Sequence, residues 1–300
     1  MLVLLNEYLS DEAFMRWILD RLEKGKLVAS VVITRKSGSA PRGPGTKMFV
    51  DEDGNTIGTI GGGDFERKII EEAKKALESR KPSEKKVALF RENLYEDVIA
   101  TEQLCGGVVT VFIDILKPVQ RLIIVGAGHV ARPLAKLGKM LNFKVIVIDN
   151  FPEYANKEKI PEADEIYASK DIINELDRIK VGKNDFVVIV HGDGELEAEV
   201  LKKLFRKEVL PRYLGLLAGK GKLKYVLKSL IESGISADII KSRLISPIGL
   251  SVGSETPEEI AIAVMAEILK VDRWAQGTQE NLVPTMLDEL LGAKVTDKSE

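Results

Sequence analysis

Residues 121–149, RLIIVGAGHVARPLAKLGKMLNFKVIVID, read as a β-strand, a Gly-x-Gly-x-x-Ala turn, a helix and a second strand that ends in an acid. Each part has a physical role in a dinucleotide-binding unit. Gly126 allows the tight turn after LIIV, Gly128 lets backbone approach a pyrophosphate, and Ala131 permits close packing of helix on strand. A helix beginning near His129 would aim its unpaired N–H groups and positive dipole end at phosphate. Asp149 is placed to accept ribose hydroxyls and to repel a 2′-phosphate, which favours NAD or a related nucleotide over NADP. Pro133 falls near the end of the first helical turn, where a local kink is expected.

The pattern continues on both sides of this unit. Downstream come a loop after Asp149, a helix over 170–178, strand DFVVIV, a helix over 195–207, strand YLGLL and further helices. Such alternation implies a parallel sheet with right-handed crossovers and helices on both faces. Thr256, Pro257 and Glu259 form a capping box ahead of Ile260, Val264 and Ile268. Upstream, a helix over 10–24 carries Phe14, Trp17, Ile18 and Leu22 on one face. Strand LVASVVIT, a Gly/Pro loop at 37–45, strands TKMFV and TIGTI, glycines 61–63 and a helix over 64–78 follow, the helix burying Phe65, Ile69, Ala73, Ala76 and Leu77. A charged loop SRKPSEKK leads to strand VALF. A stretch over 91–104 that the pattern leaves unassigned then precedes Cys105-Gly106-Gly107 and strand VVTVFIDI. The expected architecture is an N-terminal mixed α/β domain (1–117), a Rossmann-like doubly wound parallel-sheet domain (118–271) and an amphipathic tail (272–300).

Composition bounds the function. The chain has 300 residues, 45% of them hydrophobic, and a net charge of −2 with both signs scattered. No nucleic-acid tract or basic membrane face is indicated. No apolar run approaches the roughly 18 residues of a membrane span, and Asn6 and Glu7 interrupt MLVLL, so a cytoplasmic protein is expected. One cysteine excludes an intramolecular disulfide, and with two histidines it cannot make a four-ligand Cys/His zinc site.

Several constellations could carry chemistry. His129 and His191 follow strands that neighbour each other in a 3-2-1-4-5 sheet, at the crevice where open α/β sheets bind ligands. With Asp193 and Glu195, they suit an acid/base or metal-binding edge, or else a helix cap and a filled loop. Lys220 and Lys222, within Ala218-Gly219-Lys220-Gly221-Lys222, suit an anion but lack the spacing and hydroxyl of a Walker loop. In the first domain, Gly38, Ser39, Arg42 and Gly45 offer free amides, a hydroxyl and a guanidinium. Gly61, Gly62 and Gly63 open a helix and can form an anion nest. Cys105, beside two glycines, suits an unhindered thiol or a small core residue.

Taken together, SGSAPRGPGTKM (37–48), GTIGGGDFE (58–66), CGG (105–107), IVGAGHVARPLA (124–135), YLGLLAGKGK (213–222) and SPIGLSVGSETPEEIAIAVMAEIL (246–269) resemble the xanthine dehydrogenase accessory-factor family, XdhC/CoxI. The resemblance implies a cytoplasmic maturation factor for a molybdenum hydroxylase. Such a protein binds the molybdenum–pterin cofactor, shields it while a cofactor-sulfurating enzyme installs its terminal sulfur, and delivers it to the apoenzyme as a chaperone without turnover. On that reading the 38–45 and 61–63 loops hold phosphate and pterin, Arg42 and Ser39 give specific bonds, and Cys105 is a metal ligand or sulfur relay. The family commonly has an arginine-bearing turn after the second-strand acid, where this chain has Asn150-Phe151. Two other readings stand beside it. One is an NAD-dependent oxidoreductase with His191 as acid/base, although no tyrosine is followed four residues later by lysine. The other is a Rossmann domain that serves only as a docking scaffold. A homodimer is expected, with a second protomer completing the glycine loops near 40 and 62.

Overall fold

A computed structural model describes residues 10–90, 98–103, 105–273, 275–278 and 283. In chain order the elements are α1 (Asp11–Glu23), β1 (Val28–Ser37), β2 (Lys47–Asp51), β3 (Thr56–Gly58), α2 (Gly63–Ser79), β4 (Ser83–Ala88), β5 (Val98–Ala100), β6 (Val108–Leu116) and β7 (Arg121–Val125). They continue with α3 (Ala131–Met140), β8 (Lys144–Asp149), β9 (Glu165–Ala168), α4 (Ile172–Ile179), β10 (Phe186–Ile189), α5 (Gly194–Phe205) and β11 (Tyr213–Leu216). The last are α6 (Lys220–Glu232), α7 (Ala237–Arg243), β12 (Leu244–Ile245) and α8 (Pro257–Arg273). Two six-stranded sheets result.

The second sheet is wholly parallel, in the order β12-β11-β10-β7-β8-β9. This is the doubly wound 3-2-1-4-5 order with a sixth strand added. Its strands read as continuous apolar runs because both faces are buried. Leu122, Ile124, Val145, Val147, Phe186 and Val188 share a core with residues of α3 and α8. Their neighbours Ile123, Val125, Ile146, Ile148, Val187 and Ile189 join residues of α4, α5 and α6 on the other side.

The first sheet has the order β3-β2-β1-β6-β4-β5 and is antiparallel except between β4 and β5. Phe65, Ile69, Ala73, Ala76 and Leu77 of α2 fill one face with Val31, Ile33, Met48, Val50, Val111 and Ile113. Ile18 of α1, with Phe14, Trp17 and Leu22, covers Val28, Phe49 and Ile57 on the other. The expected amphipathic stripes are therefore the ones used.

Three local expectations are corrected. The charged segment at 83–86 is not loop but the first part of β4, paired with β6 from Ser83↔Ile113 to Ala88↔Val108. Its Lys85 meets Glu72 of α2 at 2.7 Å. The stretch after Asp149 contains β9, which is only half-buried at the sheet margin and so lacks an apolar run. Finally, α3 begins at Ala131 rather than near His129. Pro133 thus lies in the first turn, where its missing N–H has no intrahelical acceptor to lose, and no kink need follow. Most of the expected amphipathic tail, and residues 91–97, lie outside the described residues. No helix among the described residues is long and apolar enough to cross a membrane.

Candidate functional sites at two strand ends

The first candidate site is built where β1 runs out into the 37–45 loop. A side chain at Gly38 would meet the Gly107 Cα at 3.0 Å, and one at Gly107 would meet the Ser39 carbonyl oxygen at 2.2 Å. A side chain at Gly61 would meet the Pro41 Cβ at 2.9 Å. Gln103 Nε2 donates to the Gly62 carbonyl at 3.0 Å, closing the third side. The 37–39 and 105–107 backbones therefore nearly touch, and the 61–63 loop closes on them through the Pro41 and Gln103 side chains. Ser39, Arg42 and Gly45 are exposed, and Cys105 is half-buried against the first core.

The glycine nest at 61–63 is partly filled from within, with Gly61 N–H donated to Thr59 Oγ1 at 3.2 Å. Glu66, four residues into α2, turns back so that its Oε2 accepts Ile60 N–H and Gly62 N–H, both at 3.0 Å, and the Thr59 hydroxyl. The chain thus supplies its own anion at the place where the sequence suggests an external one. Gly61 and Gly63 serve loop packing, against Pro41 and Gln103.

The second candidate site lies at the carboxyl ends of β7, β8, β10 and β11. Gly126 N–H joins the Ile148 carbonyl at 2.8 Å, and a side chain there would strike His191 Cα and N at 2.6 Å. Its φ of 108° is also the left-handed region that favours glycine. Gly128, in contrast, is exposed with no heavy atom within 4 Å of its missing Cβ, and His129 beside it is exposed. Asp149 is buried. One carboxylate oxygen accepts Ala127 N–H at 2.6 Å and the other accepts Phe151 N–H at 2.8 Å, so the acid braces the glycine loop.

His191 is held from both ring nitrogens. Nδ1 accepts Asp193 N–H at 3.4 Å, which leaves the proton on Nε2 to be donated to Asn150 Oδ1 at 2.7 Å. Its side chain is 5% exposed and stacks beside Phe151. Asp193 N-caps α5 through Glu195 N–H and Leu196 N–H, a structural use for a residue with acid/base potential.

One residue that pattern reading passes over organises this edge. Glu197 is fully buried, accepts Gly192 N–H at 2.9 Å and meets Lys222 Nζ at 2.8 Å. Lys222 is thereby committed internally, whereas Lys220 stands exposed in the first turn of α6. Glu197 alternates with Glu195 and Glu199 in a helical stretch, so nothing but its 0% exposure separates it from surface glutamates. Among the described residues no group of three or more His, Cys, Asp or Glu side chains is placed to hold a metal ion.

Comparison with known proteins adds to this geometry. Residues 122–268 match the family described as the XdhC Rossmann domain, and residues 21–88 match the XdhC and CoxI family. The uncharacterized protein YqeB of Escherichia coli (strain K12) is 37% identical over 253 residues, covering 83% of this chain and 44% of its own length. A probable xanthine dehydrogenase subunit of Bacillus subtilis (strain 168) is 32% identical over 161 residues, covering 53% and 45% respectively. The chain thus spans less than half the length of these curated relatives. A crystal structure of a xanthine dehydrogenase from Bacillus halodurans aligns at a TM-score of 0.46 and 22% identity, over 89% of this chain and 98% of that one.

Proposed function

The chain belongs to the XdhC and CoxI family, and from that premise we propose that it is a maturation factor for a xanthine dehydrogenase-type molybdenum hydroxylase. In this reading it holds the molybdenum–pterin cofactor, protects it during sulfuration by a partner enzyme, and passes it to the apoenzyme. The observation that carries the reading is the convergence of the 37–45, 61–63 and 105–107 loops, in which Gly38, Gly61 and Gly107 have no room for a side chain. Such a cradle suits a flat, heteroatom-rich ligand held largely by main-chain groups.

The donor set fits that ligand in part. When bound, the cofactor brings pterin-borne sulfur ligands to its metal, so a single soft thiolate from the chain is a sufficient complement. Cys105, half-buried at the cradle wall, supplies that sulfur. Because Glu66 already occupies the amides at 60 and 62, phosphate recognition falls to the 38–45 loop, with Ser39 and the Arg42 guanidinium exposed beside it.

The Rossmann edge is assigned an NAD-like nucleotide, with Gly128, His129 and Lys220 facing it and Asp149 stiffening the loop. Oxidoreductase chemistry there is the weaker reading. Both nitrogens of His191 are engaged within the protein, so the proposed acid/base is a brace for Asn150 and Asp193.

The test uses full-length chain co-produced with the cofactor pathway, measuring released pterin by fluorescence and molybdenum by mass spectrometry. Near-stoichiometric amounts of both, lowered about tenfold by Arg42→Ala, are expected. Cys105→Ala should retain pterin yet fail to activate the hydroxylase. Absence of pterin, where a known binder loads, overturns the carrier reading. NADH titration tests the second edge, and no binding at millimolar concentration removes the nucleotide.

A further inference from the structure

Lys183, Arg212, Arg243 and Lys270 surround a cleft of about 480 Å³ whose other described lining residues are Leu210, Val271 and Ala275. Lys183 precedes β10, Arg212 precedes β11, Arg243 precedes β12, and Lys270 lies in the last turns of α8. The cleft therefore opens at the amino ends of the parallel strands, one strand length (about 13 Å) from the edge formed by Gly126, His191 and Lys220. Ligands of doubly wound sheets normally sit at the carboxyl ends, so this cleft is not the fold's ordinary site.

Its charge is one-sided. No acid lines it among the described residues. Arg80, at the end of α2, stands near Arg212. Burial pushes both guanidiniums below the ordinary arginine range, and repulsion from Arg80 adds to the effect on Arg212. The described carboxylates that interact with this group are Glu52, 2.9 Å from Lys183, Asp272, 3.4 Å from Arg212, and Asp53, whose charge Lys183 also feels. Arg212 Nη2 also donates to the Val271 and Asp272 carbonyls, at 3.2 and 2.7 Å, and Arg243 Nη2 to the Pro211 carbonyl at 2.7 Å. Carbonyl bonds orient a guanidinium without cancelling its charge. Four cations lining one cleft, with Arg80 behind them and no described acid in the lining, make a partly desolvated place that favours an anion.

We propose that this cleft binds a small organic phosphate, of about nucleoside-diphosphate size, at a site separate from both the glycine cradle and the Rossmann edge. Arginine and lysine together match the charge and oxygen geometry of phosphate. Leu210, Val271 and Ala275 give an apolar wall for the organic part, and the volume lies in the range of small-molecule sites. Occupancy would be felt by the first domain as well, because Lys183 reaches Glu52 in the turn after β2, and the adjacent Asn184 donates to the Gly25 carbonyl in the turn before β1.

The test is site-resolved amine labelling of the full-length protein, read by mass spectrometry, with ADP or inorganic pyrophosphate at matched concentration. ADP is expected to slow labelling of Lys270 and Lys183 at least about fivefold, and pyrophosphate to do so less well. Arg243→Gln should abolish that protection, while Lys220→Gln at the opposite edge should leave it intact. If Arg243→Gln alters the fold, protection of Lys183 is compared in Lys270→Gln instead, where it should be lost. Unchanged Lys270 labelling with either ligand at about 10 mM, a concentration that populates even weak sites, overturns the proposal. Protection lost in Lys220→Gln but kept in Arg243→Gln also overturns it. Equal protection by pyrophosphate removes the organic part of the assignment.

Discussion

Gly126 and Gly128 belong to one motif yet answer to different masters. The first faces the protein, where a Cβ would lie 2.6 Å from His191 backbone; the second faces open space. Gly126→Ala should cost at least about 2 kcal/mol through strain and overpacking. Gly128→Ala should change stability by less than about 1 kcal/mol while weakening nucleotide binding, since the added methyl points where a ligand would sit. Urea unfolding and NADH titration on the same two variants separate these effects, and a destabilised Gly128→Ala would refute the assignment. Glu197 gives a second contrast. Removing it in Glu197→Ala strands Lys222 and frees the Gly192 N–H, so a loss of about 2–4 kcal/mol is expected. Adding Lys222→Met should recover part of that loss, because the ammonium left unpaired is then gone. A chemical-denaturation cycle measures the coupling. The glycine spacing was readable from sequence, but the buried state of Glu197 was not, since it depends on strands and helices arriving from elsewhere.

Elements with strong periodicity and local caps were legible. Helices α1, α2 and α8 appear with the stripes their sequences contain, and α8 begins at the expected box, with Thr256 Oγ1 accepting Glu259 N–H at 3.3 Å. What escaped were elements stabilised by their neighbours: β9 and β12 at the sheet margins, and the charged half of β4, which pairs because β6 offers its edge. The Glu66 back-bond escaped for a related reason, as a capping interaction that arises from loop geometry. Glu66→Ala should cost about 1–2 kcal/mol and loosen the amides of Ile60 and Gly62, detectable as faster hydrogen exchange at those positions. The box on α8 makes the pH-dependent prediction. Glu259 accepts Glu255 N–H and Thr256 N–H, and those bonds hold its carboxyl below the ordinary glutamate value. Because the folded value is the lower one, the stabilisation is complete above the unfolded glutamate range and disappears as pH falls through the folded value. Amide protection at 255 and 256 should therefore collapse on acidification in the wild type and vary less in Glu259→Gln, which a pH series of exchange rates will show.

The whole molecule has a polarity that neither sheet has alone. The sheets meet where β1 begins, where β6 ends and where β10 begins: Asn184 donates to the Gly25 carbonyl and accepts from Arg80, and Lys183 meets Glu52 at 2.9 Å. Both candidate ligand edges lie at the far ends of their strands from this junction, the cradle after β1 and the glycine loop after β7. Nothing in the sequence brings these residues together, because Asn184 sits 159 residues from Gly25 and looks like an ordinary turn asparagine. Yet Asn184 is buried, and its amide is bonded on both sides, so its side chain is the part of the junction least able to be replaced by water. Asn184→Ala removes a bond to a charged donor and leaves the Gly25 carbonyl without that partner, for an expected cost of about 2–3 kcal/mol. The location of that cost is the sharper test. If Asn184 joins the sheets, amides of β1 and β6 should lose protection by a different free energy from those of β7 and β10, because the two halves no longer open together. An equal loss across all four strands would mean that Asn184 stabilises the chain without coupling its halves, and that the charges around Arg80 and Lys183 carry the junction instead.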